Sequence, residues 1–179
     1  MAETERLSPD DDGIARAAAL LRAGHCVSFP TETVYGLGAD ATNGQAVARI
    51  FEAKGRPHFN PLIVHVPSLT DALGLIDLPA AGVKLATAFW PGPLTLVAPM
   101  REAGGIADLV TAGLPTLAVR VPAHALAQRL LQDCGRPVAA PSANLSGKVS
   151  PTTARHVLEG LSGRIAAVLD GGPCHVGLE

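Results

Sequence analysis

A single α/β domain is the fold class this sequence predicts, and three observations predict it. The 179 residues are 47% hydrophobic and 17% charged, so enough apolar area is available to offset the ordering entropy of one core, while two domains would be cramped. Short apolar runs suited to buried strands alternate with segments of helical spacing. No repeat, low-complexity linker or break in composition divides the chain.

Each element follows from its own pattern. Residues 1–12 read as a polar N-terminal tail and 13–179 as the domain. Asp10 to Asp12 cap a helix with apolar positions Ile14, Ala17, Ala18 and Leu21, closed by Gly24. A strand over 26–29 comes next. Asn43 caps a second helix, with Val47, Ile50 and Phe51 on one face and Gly55 at its end. A strand over 62–66 leads to two short helices, one capped by Ser68 and one starting after Pro79, which Trp90-Pro-Gly-Pro93 stops. Strands over 94–98, 117–121, 138–140 and 165–169 alternate with helices over 123–131 and 153–159, the last ended by Gly160.

Composition removes several function classes. Aromatics are 3% of the chain, which leaves few stacking platforms for single-stranded nucleic acid. A net charge of −2 and a pI near 6.3 exclude a protein basic all over, though not a local basic cleft. Cys26, Cys134 and Cys174 form no C-x-x-C pair, which argues against a disulfide framework or zinc ribbon and fits a reducing cytoplasm. The acidic start and the lack of an apolar run near 18 residues predict neither export nor a membrane span. The 19 glycines and 15 prolines gather in a few loops that also carry polar side chains, where function usually sits.

Each motif has a plain alternative. Gly36-Leu-Gly38-Ala-Asp40-Ala41 fits G-x-G-x-x-A but stands too far from the upstream strand, and Arg56 occupies the position of the ribose-binding acid. Gly147-Lys148 lacks both the first glycine and the hydroxyl of a P-loop. Lys54-Gly-Arg56-Pro-His-Phe-Asn60-Pro sets two cations at a helix C-terminus: they complement the helix dipole or, stiffened by Pro57 and Pro61, bind an anion, and the segment alone divides these evenly. Pro141-Ser-Ala-Asn-Leu-Ser-Gly-Lys-Val-Ser150 follows a strand and precedes a helix, at the sheet edge where ligands bind, although a hydrogen-bonded turn is the commoner reason for such a loop. His65 and Arg120 interrupt apolar strands, and a buried Arg120 needs an anionic partner unless it lies on an exposed face. Thr31, Glu32, Thr33 and Tyr35 suggest only a polar strand or loop. The remaining histidines, at positions 25, 58, 124, 156 and 175, have no metal spacing, so no metal site is assigned to protein side chains. No catalytic triad or carboxylate pair stands out, and chemistry would rest on cations and hydroxyls arranging an anion.

Taken together, Ser28-Phe-Pro-Thr-Glu-Thr-Val-Tyr-Gly-Leu-Gly38, Ile50-Phe-Glu-Ala-Lys-Gly-Arg-Pro57, Asn60-Pro-Leu62, His65, Trp90-Pro-Gly-Pro-Leu-Thr95, Val119-Arg-Val-Pro122, Pro141-Ser-Ala-Asn-Leu-Ser-Gly147 and Leu169-Asp-Gly-Gly172 resemble the YrdC/Sua5 family of threonylcarbamoyl-AMP synthases, in order from about residue 13. The resemblance implies a twisted mixed α/β sheet with flanking helices around a deep, cationic, concave cleft. It also implies a nucleotidyl transfer in which L-threonine, bicarbonate and ATP, carried with Mg²⁺, give threonylcarbamoyl-adenylate and pyrophosphate. Threonylcarbamoyl-transferase proteins would then modify the adenosine beside the anticodon of tRNA, and the family allows tRNA or double-stranded RNA contact. The K-x-R and S-x-N signature falls on Lys54, Arg56, Ser142 and Asn144. By resemblance Lys54 and Arg56 are catalytic, Arg56, Asn60, Ser142, Asn144, Ser150 and Lys54 bind ATP, and Thr33, His65, Arg120 and Thr116 hold L-threonine, with Tyr35 a lesser wall. The family commonly continues beyond Gly-x-Glu with a Ser/Thr-Val-Val strand that lines the cleft, where this chain stops at Glu179, and longer relatives carry a second domain. Two rival readings remain open: a carbamoyl-adenylate domain of the hydrogenase-maturation kind, and an RNA-binding module without catalysis.

Overall fold

Short strands pair edge to edge into one mixed sheet. The computed structural model describes residues 3–57 and 60–178; His58, to which the sequence assigns no role, and the terminal Glu179 lie outside them. The strands are β1 (Glu5–Leu7), β2 (Val27–Pro30), β3 (Tyr35–Asp40), β4 (Ile63–His65), β5 (Thr95–Pro99), β6 (Thr116–Arg120), β7 (Val138–Ala139) and β8 (Ala167–Leu169). They order as β1-β8-β2-β3-β7-β4-β6-β5 in a mixed sheet, with β1 and β2 parallel to β8, β4 parallel to β6, and the remaining pairs antiparallel. The helices are α1 (Asp11–Arg22), α2 (Gly44–Lys54), α3 (Leu69–Leu75), α4 (Ala80–Phe89), α5 (Asp108–Thr111), α6 (Ala125–Cys134) and α7 (Ala154–Leu161). The predicted mixed α/β domain is the observed one.

Sequence punctuation sets the helix ends. Asp10 accepts from Gly13 N at the start of α1, Asn43 from Gln45 N and Ala46 N at α2, Ser68 from Asp71 N at α3 and Thr153 from His156 N at α7. Three local expectations change. Residues 5–7, expected in a polar tail, form the edge strand β1, where Arg6 pairs with Asp170 and Thr4 Oγ1 donates to Ile165 O. Tyr35–Asp40, to which the sequence assigns no strand, is β3, and each of its residues is buried. The last helix runs past Gly160 to Leu161.

Alternation in the strands divides the core between two faces. Leu37, Ala39, Val64, Val119, Ala139 and Val168 point to one side, against α2, α3, α5 and α7. Val27, Phe29, Val138, Ala167 and Leu169 point to the other, against α1 and α6. On that second side α1 and α6 cover the β8-β2-β3 part of the sheet. Further along the same face, over β4, β6 and β5, Ile63, Ala118 and Thr95 are only half-buried and Val97 is 66% exposed. A concavity opens where the covered part of the sheet meets the uncovered one.

Candidate functional site

Strand register builds the first wall of that concavity. Val138, His65, Arg120 and Thr95 stand opposite one another across β7, β4, β6 and β5, so their side chains form one row on the open face. His65 is 3% exposed, packs edge-on against Phe29 at 6.2 Å and has Nδ1 3.3 Å from Ile63 O. Burial, and then the neighbouring Arg120 charge, push its pKa down to about 4. The ring is therefore neutral at pH 7.

Arg120 is the next in the row, and its need for an anionic partner is met by Glu32. Its Nη2 donates to Glu32 Oε1 at 2.6 Å and to Thr33 Oγ1 at 3.1 Å, and its Nε to Gly92 O at 3.3 Å. The second Glu32 oxygen accepts from Ala123 N at 3.0 Å, which ties the loop after β2 to the turn before α6. Burial works to raise the Glu32 pKa, but the Arg120 hydrogen bond and charge prevail and hold it below the usual carboxylate range. Thr33 Oγ1 lies 3.0 Å from Thr31 Oγ1, which itself donates to Val34 O at 2.7 Å. Either hydroxyl of that pair can be the donor, and the Thr33 oxygen serves Arg120.

The second wall is the loop 141–151. Leu37 N donates to Pro141 O, Ala143 N to Tyr35 O and Tyr35 N to Pro151 O, which stitches the loop to β3 at both of its ends. Lys54, the last residue of α2, is 2% exposed and sends its ammonium into the loop, donating to Ser142 O and, at 2.5 Å, to Asn144 O. Asn144 Nδ2 closes the loop on Leu145 O at 2.9 Å and Lys148 O at 2.7 Å, and its Oδ1 is buried without a hydrogen-bond partner among the described residues. Past Lys54, Gly55 takes the left-handed conformation at φ 58°, and Arg56 turns away from the helix to donate to Pro61 O at 3.3 Å.

Between these walls lies a cavity of about 270 Å³. Thr33, Arg56, Arg120 and Ser142 line it, together with Thr95 and Pro93. Four of the sequence-predicted residues therefore share one space. His65 lies beside Arg120 in the row, and Asn60 directly precedes the lining residue Pro61. Lys54 stands behind the loop and acts on its carbonyls, while Asn144 and Ser150 are outside the lining. Thr116 does not join Arg120: it shares the face but sits four residues up β6, opposite Pro99, about 13 Å away by strand rise. Tyr35 is not a wall either, since it is fully buried with its hydroxyl donating to Gly172 O at 2.7 Å and accepting from Gly171 N at 3.2 Å. The sequence assigns no role to Glu32 or Thr95. The signal for Glu32 was the unpaired buried arginine, whose partner only the tertiary fold supplies.

The comparisons with known proteins bear on this geometry. The Sua5/YciO/YrdC family, described as telomere recombination, matches residues 19–179. A Bacillus subtilis protein named threonylcarbamoyl-AMP synthase is 53% identical over 177 residues, covering 98% of this chain and 51% of its own length. A Pyrococcus abyssi protein of the same name is 52% identical over 164 residues, covering 91% of this chain and 48% of its own. The crystal structure of Pyrococcus abyssi Sua5 complexed with L-threonine superposes with a TM-score of 0.92 at 48% identity, over 97% of this chain and 52% of that one. The chain thus spans about half the length of these relatives. Among the described residues no helix is long and apolar enough to cross a membrane.

Proposed function

The chain belongs to the Sua5/YciO/YrdC family, and from that premise we propose that it forms threonylcarbamoyl-adenylate and pyrophosphate from L-threonine, bicarbonate and ATP. One observation carries the reading: Arg56 and Arg120, from opposite walls, line a single cavity. The reaction needs this, because both reactants are anions. Threonine's amine and bicarbonate give a carbamate with loss of water; a carbamate oxygen attacks the α-phosphorus as the bond to the bridging oxygen breaks, and pyrophosphate departs with those electrons. The carbamate is already ionised, so no strong general base is required. Catalysis is then positioning and charge stabilisation, with ATP entering as its Mg²⁺ complex.

The residues divide into two subsites in this reading. Arg56, Asn60 and Ser142 face the triphosphate, with Lys54 supporting that side by fixing the carbonyls of Ser142 and Asn144, so that the loop N–H groups turn toward the anion. Asn144 and Ser150 complete the nucleotide loop. Arg120 takes the threonine carboxylate, with His65 beside it and Thr33 holding the guanidinium. The threonine complex of the Pyrococcus abyssi relative supports an amino-acid substrate. The product would pass to threonylcarbamoyl-transferase proteins acting on tRNA in the cytoplasm, and tRNA or double-stranded RNA would approach the cleft rim. Carbamoyl transfer and catalysis-free RNA binding are less favoured, because the relatives carry the synthase name.

Pyrophosphate release measured with ATP, Mg²⁺ and bicarbonate tests the reading. It should depend on L-threonine; release indifferent to threonine, or none at all, overturns it. Calorimetric titrations then test the subsites. Arg56→Ala and Lys54→Ala should weaken ATP more than threonine and Arg120→Ala the reverse, each by roughly ten- to a hundredfold for its own ligand, as expected for a hydrogen bond to a charged group. The opposite order would exchange the subsites.

A further inference from the structure

Arg120 offers a ligand less than a free guanidinium does. Its Nη2 and Nε are committed to Glu32, Thr33 and the Gly92 carbonyl, so the paired edges that usually grip both carboxylate oxygens are occupied. Only Nη1 is without a partner among the described residues. A carboxylate bound there through one oxygen needs a second donor for the other.

The Thr33 hydroxyl is already engaged, accepting from Arg120 and lying 3.0 Å from Thr31 Oγ1. Thr95 can supply that donor. It stands directly opposite Arg120 in the antiparallel β5-β6 pair, which places the two side chains about 5 Å apart on one face, and it lines the same cavity. Its hydroxyl has no hydrogen-bond partner among the described residues, unlike the Thr31 and Thr33 hydroxyls nearby.

Resting on the synthase reading above, we propose that Thr95 is a substrate-binding residue whose hydroxyl donates to the second carboxylate oxygen of the amino acid held by Arg120. β5 is the edge strand of the sheet, so this donor reaches the cavity from the side away from Glu32. The carboxylate then lies between Arg120 Nη1 and Thr95 Oγ1, and Glu32 stays in place when substrate arrives.

The test is a pair of variants, Thr95→Val, which keeps shape and strand preference but removes the hydroxyl, and Thr95→Ser, which restores it. L-threonine affinity is read by calorimetric titration and as KM in the pyrophosphate assay. Thr95→Val should weaken threonine roughly ten- to a hundredfold, as expected for a hydrogen bond to a charged group, leaving the ATP KM unchanged. Thr95→Ser should come within about threefold of wild type. Unchanged threonine affinity in Thr95→Val, an equal loss for ATP, or no rescue by serine would overturn the proposal. Wild-type protein that binds threonine but releases no pyrophosphate would overturn the synthase reading alone, because the titrations still decide Thr95. Protein that binds no threonine would sink both.

Discussion

At pH 7 the His65 ring is neutral, and this couples the site to stability. Its pKa in the folded protein is about 4, against 6.5 for the ordinary side chain, so the unfolded chain binds the proton first as pH falls. The neutral ring's contribution is complete above pH 6.5 and is lost progressively toward pH 4. At 1.36 kcal/mol per unit, lowering the pH from 7 to 5 should cost the wild type about 2 kcal/mol more than it costs His65→Gln, which cannot titrate. Urea unfolding at the two pH values measures this difference. Parallel losses would mean that the ring is not held neutral. The Glu32 carboxylate adds a separate loss at lower pH, because its lowered pKa stabilises the fold above the ordinary carboxylate range and ceases to as that range is crossed downward.

The strand β3 shows why some elements were legible and others were not. Helix caps are local: Asp10, Asn43 and Ser68 act on backbone groups two or three residues away, and the sequence exposes them directly. Tyr35-Gly-Leu-Gly-Ala-Asp40 gives no clear strand signal because glycine weakens a strand, and the reason for its glycines is tertiary. A Cβ on Gly38 would sit 2.8 Å from both a Phe29 ring carbon and a Val138 methyl. Gly38→Ala should therefore destabilise by about 1–3 kcal/mol through overpacking, measured by thermal or urea unfolding, with ligand affinities little changed. A neutral effect would show that the sheet can relax there. The site was legible in the same divided way. Arg56, Ser142, Thr33 and Arg120 came from segments whose residue types already suggested anion binding or matched the family, and the cavity joins them. Glu32 and Thr95 gain their roles from a loop contact and a strand register, which no local pattern carries, and Thr116 was displaced because proximity along β6 is not proximity in the cavity.

For the molecule as a whole, the site depends on the chain's two distant parts meeting. The loop 31–33, which orients Arg120, is itself held from the far end of the sequence: Val176 N donates to Glu32 O and Gly177 N to Thr33 O, each at 3.0 Å, while Cys174 N anchors the same segment on Thr152 O at 2.8 Å. Neither core cluster includes residues 175–178, so removing them should leave the fold intact while loosening the loop. Each lost backbone hydrogen bond is worth about 1 kcal/mol net. A chain ending at Cys174 should therefore melt within a few degrees of the parent, bind L-threonine on the order of tenfold more weakly and bind ATP within about twofold, since Arg56 and Ser142 are held by other elements. Calorimetric titration of both ligands separates these effects. Threonine binding that survived the truncation unchanged would show that Glu32 and Ala123 fix Arg120 without help from the C-terminal segment.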